Sequence, residues 1–210
     1  MKGADTYYYF RQSVEELEFL ASSVPLFLEF QNKVILKHGA GPEHPLYKGK
    51  KLMDVYLDKD YEGLMAKQLL FTLFARFETN LDELLMIFLH NDQEEFKKLK
   101  KERSKRIINQ LNLLYKFVPL ELKNEIDVNI FYDIDYYYVI RNLFIHNNGI
   151  INIEAVDRAN RHLTKEDIGM KIRIDIEEFN KIFELLSDIS CKFSDVIDKI
   201  KPLEPEVREI

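Results

Sequence analysis

The residues best equipped for chemistry are Arg141 and His146, the ends of the run Arg141-Asn142-Leu143-Phe144-Ile145-His146 that is followed at once by Asn147-Asn148-Gly149. A guanidinium is a permanent cation whose planar donor fork suits phosphate, and an imidazole can take or give a proton near neutral pH. Together they hold what phosphodiester cleavage needs when no metal takes part: a charge stabiliser and a proton shuttle. Spacing alone is a cheap signal. With nine Arg and five His in 210 residues, an Arg followed four to six positions later by a His arises by chance roughly one time in two. The context is more specific: a polar Asn after the Arg, an apolar Leu-Phe-Ile filler, and an Asn-Asn-Gly stop that tolerates left-handed backbone angles.

On a helix, five steps turn the chain by about 140° and advance it by about 7.5 Å. Arg141 and His146 therefore do not stack on one face, whereas Asn142 and His146, four apart, do. The Asn142 amide could fix the imidazole tautomer or touch a phosphate, with Asn147 as a further polar support. Arg141 would lie one turn deeper. A candidate partner for it is Glu78, which intrudes in the apolar stripe Phe71, Phe74, Glu78, Leu81, Leu85 and would be costly to bury unpaired. Glu78 at a helix edge, or paired with a neighbour such as Arg76, is the bland alternative.

The elements that must position these residues are helices. Val14, Leu17, Ala21, Val24 and Leu28 step at threes and fours, predicting helix from about 10 to 37 with a kink or break at Pro25. Gly39, Gly41, Pro42, Pro45 and Gly49 mark a loop. From Tyr61 to His90, Leu and Phe are so dense that the helix must be buried on most of its circumference, as the centre of a bundle. A third helix is expected from Glu94 to about Val118, with Ile107, Ile108, Leu111, Leu114 and Val118 inward and Pro119 as its stop. A short fourth helix fills Tyr136 to Ile145, with Asp133 or Asp135 as its cap. Residues 150–174 lose helical period, and Ile150, Ile151 and Ile153 are expected to form a short β-hairpin with Ile172 and Ile174. The last helix runs from about Asp175 to Ile200, with Ile176, Phe179, Phe183, Leu186, Phe193, Val196 and Ile200 inward. The fold class is all-α: an antiparallel bundle of four to five main helices. It divides into an N-terminal helical segment and loop (1–50), the bundle (51–200) and a flexible tail (201–210), one domain overall.

Composition excludes several classes. A single Cys, Cys191, can form no internal disulfide, reads as a small buried residue, and leaves no cluster with zinc-ligand spacing. His38, Glu43 and His44 share a loop that lacks the fixed geometry a metal needs, so no metal and no cofactor is implied. No signal-peptide h-region and no membrane-spanning stretch is present, which points to a cytoplasmic protein. The net charge of −6 argues against broad coating of duplex nucleic acid but leaves room for a local basic site. The dense cationic run of Lys97, Lys98, Lys100, Lys101, Arg103, Lys105 and Arg106 is interleaved with Glu95 and Glu102. It reads either as a solvated helix face or as an RNA-guiding patch, the latter using Lys97, Lys98, Lys101 and Arg103. Tyr7 to Phe10 and Tyr136 to Tyr138 could stack on unpaired bases, though such aromatics usually serve a core or an interface.

The Arg-Asn-x-x-x-His motif near a helix end, the trailing Asn-Asn-Gly, the all-helical bundle and the amphipathic final helix together resemble the HEPN superfamily (higher eukaryotes and prokaryotes nucleotide-binding) over roughly residues 60–200. Many members of that family are metal-independent endoribonucleases of toxin–antitoxin, abortive-infection and CRISPR systems. They act as homodimers that bring two motifs together. The resemblance implies Arg141 and His146 as the catalytic pair, Asn142 as the polar residue that commonly follows the Arg, and Glu78 as a support from a neighbouring helix. It also implies cleavage of single-stranded RNA to 2′,3′-cyclic phosphate and 5′-hydroxyl ends, with an antitoxin or regulatory protein as a further partner. Two other classes stay open: a noncatalytic module of the same fold that binds nucleotide, RNA or a partner protein, and an antitoxin or immunity-type protein that occupies a partner's surface.

Overall fold

The computed structural model describes residues 5–12, 15, 19, 61–102 and 106–200. Its architecture is an all-α bundle. Helix α1 (Tyr61–Phe88) is followed by α2 (Gln93–Glu102), α3 (Ile107–Phe117), α4 (Ile130–Asn147), the short α5 (Ile153–Arg158) and α6 (Ile176–Ile200). Tight 3-10 turns occupy Leu120–Glu125 and Lys165–Asp167.

Helix α1 packs along α6, and α3 and α4 complete the core against them. Leu70, Leu73, Phe74, Phe77, Leu84 and Leu85 are buried, while Gln68, Thr72, Ala75, Arg76 and Thr79 stay exposed, so α1 keeps one solvent-facing strip. On α6, Phe179, Phe183, Leu186, Phe193 and Val196 are buried at the expected spacing. Ile200 is not, being the last residue of the helix and 39% exposed. Aromatic rings tie the layers together: Phe131 of α4 stacks on Phe193 of α6 at 6.3 Å, and Phe74 of α1 meets the edge of Tyr138 of α4 at 5.6 Å. Such contacts add roughly 0.5–1.5 kcal/mol each beyond the area they bury.

Residues 5–12 are helical and dock on this bundle, with Phe10 against Phe77 at 6.1 Å and Arg11 over the Phe183 ring at 4.6 Å. Tyr8 and Tyr9 remain exposed. The remainder of the expected N-terminal helix, the loop with His38, Glu43 and His44, the tail 201–210 and Arg103 lie outside the described residues.

Three sequence expectations change. The helix from Glu94 to Val118 is two helices. Asp92 caps the first by accepting from the N–H groups of Glu94 and Glu95, and the chain enters the second through Arg106 in extended backbone (φ −71°, ψ 135°). Helix α4 begins at Ile130, well before Tyr136, and neither Asp133 nor Asp135 caps it. Asp135 is buried in the apolar stripe of α4, where Arg106 Nη2 donates to its Oδ2, and Asp133 lies 3.0 Å from Nε2 of His162. The extended step at Arg106 thus brings a cation to a carboxylate that would be costly to bury unpaired. The hairpin is reduced to one isolated antiparallel bridge between Ile150 and Lys171, because Ile153 already opens α5 on an Asn152 cap. Among the described residues there is no strand, and no helix is long and apolar enough to cross a membrane.

Tyr136, Tyr137 and Tyr138 of α4 are each engaged within the fold. Tyr136 stacks on His162 at 4.6 Å, Tyr137 donates to Glu178 at 2.8 Å, and Tyr138 is only 9% exposed. Cys191 is half-buried, its thiol raised above the ordinary range by burial first and by Asp195 next.

Candidate active site

The end of α4 decides where His146 stands. Asn148 takes left-handed backbone angles (φ 53°, ψ 30°) and returns its N–H to the Leu143 carbonyl, which Gly149 also contacts at 3.0 Å. Gly149 has φ 76°, and a Cβ there would sit 2.6 Å from the Phe144 ring, so both backbone angle and space demand glycine. The Asn147 side chain donates to the Ile150 carbonyl, and the Ile150 N–H returns to the Asn147 carbonyl at 2.9 Å. Asn147 therefore folds the exit from the helix directly after His146.

Arg141, Asn142, His146 and Asn147 line one cleft of about 410 Å³. That volume falls within the roughly 300–1,000 Å³ typical of small-ligand sites. Arg106, Tyr138, Glu154 and Arg158 form other parts of its wall. His146 is exposed to solvent and, among the described residues, has no hydrogen-bond partner. Arg141 is held on two sides: Nη1 donates to Asn142 Oδ1 at 3.0 Å, and Cζ lies 5.4 Å from the centroid of the Tyr138 ring. The second distance is within cation–π range. The Asn142 amide thus serves the guanidinium and not the imidazole.

Glu78 sits where the stripe of α1 places it, between buried Phe74 and Leu81, with its Oε1 shielded from water and lacking a hydrogen-bond partner. It makes no direct ion pair with Arg141 among the described residues. Both bear on Tyr138. Its phenol is pushed up to about 12 by burial first and by the Glu78 carboxylate second, while Arg141 and Arg158 pull the other way. Glu78 and Arg141 thus act in opposite directions on the same phenol.

Lys97, Lys98 and Lys101 are exposed on α2 and do not line the cleft; Lys97 is engaged with Glu94 at 3.0 Å. Of the whole cationic run, Arg106 alone among the described residues reaches the cleft. Sequence reasoning missed the roles of Arg106, Arg158, Tyr138 and Asp135. Asp135 carried a readable signal, a carboxylate spaced with Phe131, Ile134 and Tyr138 on an apolar face, the same sign that singled out Glu78. Arg158 carried none, because α5 is too short for its period to show.

Among the described residues, no group of three or more His, Cys, Asp or Glu side chains could hold a metal ion. Chemically, the cleft offers guanidiniums for phosphate oxygens and one accessible imidazole for proton transfer. Compared with protein-family models, with curated proteins and with solved structures, the chain matches none.

Proposed function

We propose that this chain is a metal-independent endoribonuclease that cleaves single-stranded RNA as a homodimer, a ribonuclease-like member of the HEPN superfamily serving as a bacterial toxin or antiphage-defence effector. The observation that carries the reading is that Arg141 and His146, which could each have vanished into packing, open on a single cleft with Asn142 and Asn147.

In this reaction the ribose 2′-oxygen attacks its own 3′-phosphorus and the bond from phosphorus to the 5′-oxygen breaks. The attacking hydroxyl gives its proton to one imidazole, and a second imidazole protonates the departing 5′-oxygen. Arg141 neutralises the charge that builds on the phosphorane oxygens. One His146 cannot serve both sides of an in-line displacement at once, whereas a two-fold dimer supplies two. The reading is supported by apolar side chains that stand exposed near the motif, where a second copy would dock. Ile145, Ile150, Ile153, Ile168 and Met170 are between 40% and 64% exposed around the end of α4 and the segment that follows it. A group of exposed apolar side chains of this kind marks an interaction surface.

The second reading, a noncatalytic module that binds nucleotide, RNA or a partner protein, draws on one observation: no group among the described residues orients the His146 ring. The two are separated by incubating the protein in excess EDTA with an RNA oligonucleotide and with its 2′-deoxy counterpart. The nuclease cuts only the RNA and leaves 2′,3′-cyclic phosphates; a binding module leaves both intact.

A further inference from the structure

The cleft holds more cation than the reaction uses. Besides Arg141, its wall carries Arg106 from the step into α3 and Arg158 from the last turn of α5. Both belong to other elements than the motif, and Arg106 Nη2 reaches the Arg158 backbone carbonyl at 3.4 Å, so the two are neighbours. Three guanidiniums face one lining carboxylate, Glu154, in a chain whose net charge is −6. That carboxylate binds weakly: its Oε1 is 3.9 Å from Arg158 Nη1, and its side chain is 76% exposed. Arg158 keeps donor capacity at its Nη end, where the nearest carboxylate oxygen, Glu154 Oε1, lies beyond hydrogen-bond distance at 3.9 Å. Arg106 is aimed by the buried Asp135, which accepts from one of its nitrogens and turns the planar fork.

Arg106 is paired by the buried Asp135, whereas Arg158 has only the exposed and distant Glu154, a pairing too loose to account for a guanidinium held in the cleft wall. Clustered guanidiniums in a concave wall repel one another, and the group that relieves this is an anion with several oxygens. We propose that Arg106 and Arg158 form a second phosphate subsite, separate from Arg141, that holds a neighbouring phosphate of the bound strand and so sets which stretch of chain lies across the motif. The identification of that strand as RNA rests on the proposed function. Arg106 and Arg158 are here positioning residues, and Glu154 is the counter-charge that moderates how tightly they hold a phosphate.

The test uses a five-residue thymidine oligodeoxynucleotide, which has phosphates but no 2′-hydroxyl and survives any ribonuclease. Its affinity is measured against salt concentration for the wild type, Arg158→Gln and Glu154→Gln, with circular dichroism as a check on folding. Each lost phosphate contact lowers the slope of log affinity against log salt by about 0.7 on a single strand. Arg158→Gln is expected to flatten the slope by about that much and to weaken binding about tenfold, with Arg158→Lys regaining most of the slope. Glu154→Gln, at an exposed position that does not threaten the fold, is expected to tighten binding two- to threefold. Unchanged slope and affinity in Arg158→Gln, or no tightening in Glu154→Gln, overturns the subsite. RNA left intact by the wild type while these shifts occur removes the nuclease and keeps the subsite.

Discussion

Arg141 donates through Nη1 to Oδ1 of Asn142 at 3.0 Å, so the residue that follows the cation in sequence is its clamp in space. Adjacent helical residues point about 100° apart, and the pair meets only because the long guanidinium folds sideways across the Tyr138 ring. Replacing Asn142 by Ala frees the guanidinium to swing. The expected result is a fall in kcat/KM of roughly tenfold to a hundredfold, the range in which a misplacement near 1 Å operates, with thermal stability within about 0.5 kcal/mol of wild type. Steady-state cleavage of a fluorogenic RNA measures it, and undiminished activity would show that Arg141 holds its place without the amide.

The exposed apolar group beside the motif sets a second expectation. Asp at Ile145 and Ile153, exposed by 43% and 64%, places like charges across a two-fold interface. The double variant should be monomeric by light scattering and lose RNA cleavage, yet unfold at the wild-type temperature because neither side chain is in the core. An active monomer would contradict the shared site.

Gly149 fixes the end of α4. A methyl group there meets the Phe144 ring at 2.6 Å on a backbone at φ 76°, so Gly149→Ala is expected to cost about 1–3 kcal/mol. Denaturant unfolding checks this. Because the same turn places His146, cleavage should fall more than the population of folded protein does.

How much of this was legible beforehand depends on the length of each periodic signal. Helices α1 and α6 span many turns, so their apolar stripes announced themselves, Glu78 as an intruder among them. The end of α4 was legible because Asn148 and Gly149 tolerate left-handed angles. The start of α4 was not, since Asp133 and Asp135 resemble caps in sequence and only burial of Asp135 against Arg106 shows otherwise. The chain's entry into α3 through an extended Arg106, which pairs with the same Asp135, carried no periodic signal either. Asn142 could have turned to either neighbour, and which one it took depends on Tyr138 beneath the guanidinium.

Tyr138 also makes the fold sensitive to alkali. Its phenol is raised to about 12 by burial and by Glu78, whereas in the unfolded chain it titrates near 10. The folded state therefore holds its proton more tightly, and the associated stability is complete below about pH 10 and lost as pH rises towards about 12. Tyr137, raised by burial and by its bond to Glu178, acts in the same direction. The denaturant midpoint should drop between about pH 10 and pH 12, and Tyr138→Phe should shrink that drop. An equal drop in the variant would remove Tyr138 from this account.

The central claim is tested most directly by incubating the wild type, His146→Ala and Arg141→Ala with total bacterial RNA in excess EDTA, followed by end-group analysis. Fragments with 2′,3′-cyclic phosphate and 5′-hydroxyl ends are expected from the wild type, and intact RNA from both folded variants. Cleavage by His146→Ala with the same ends would contradict it.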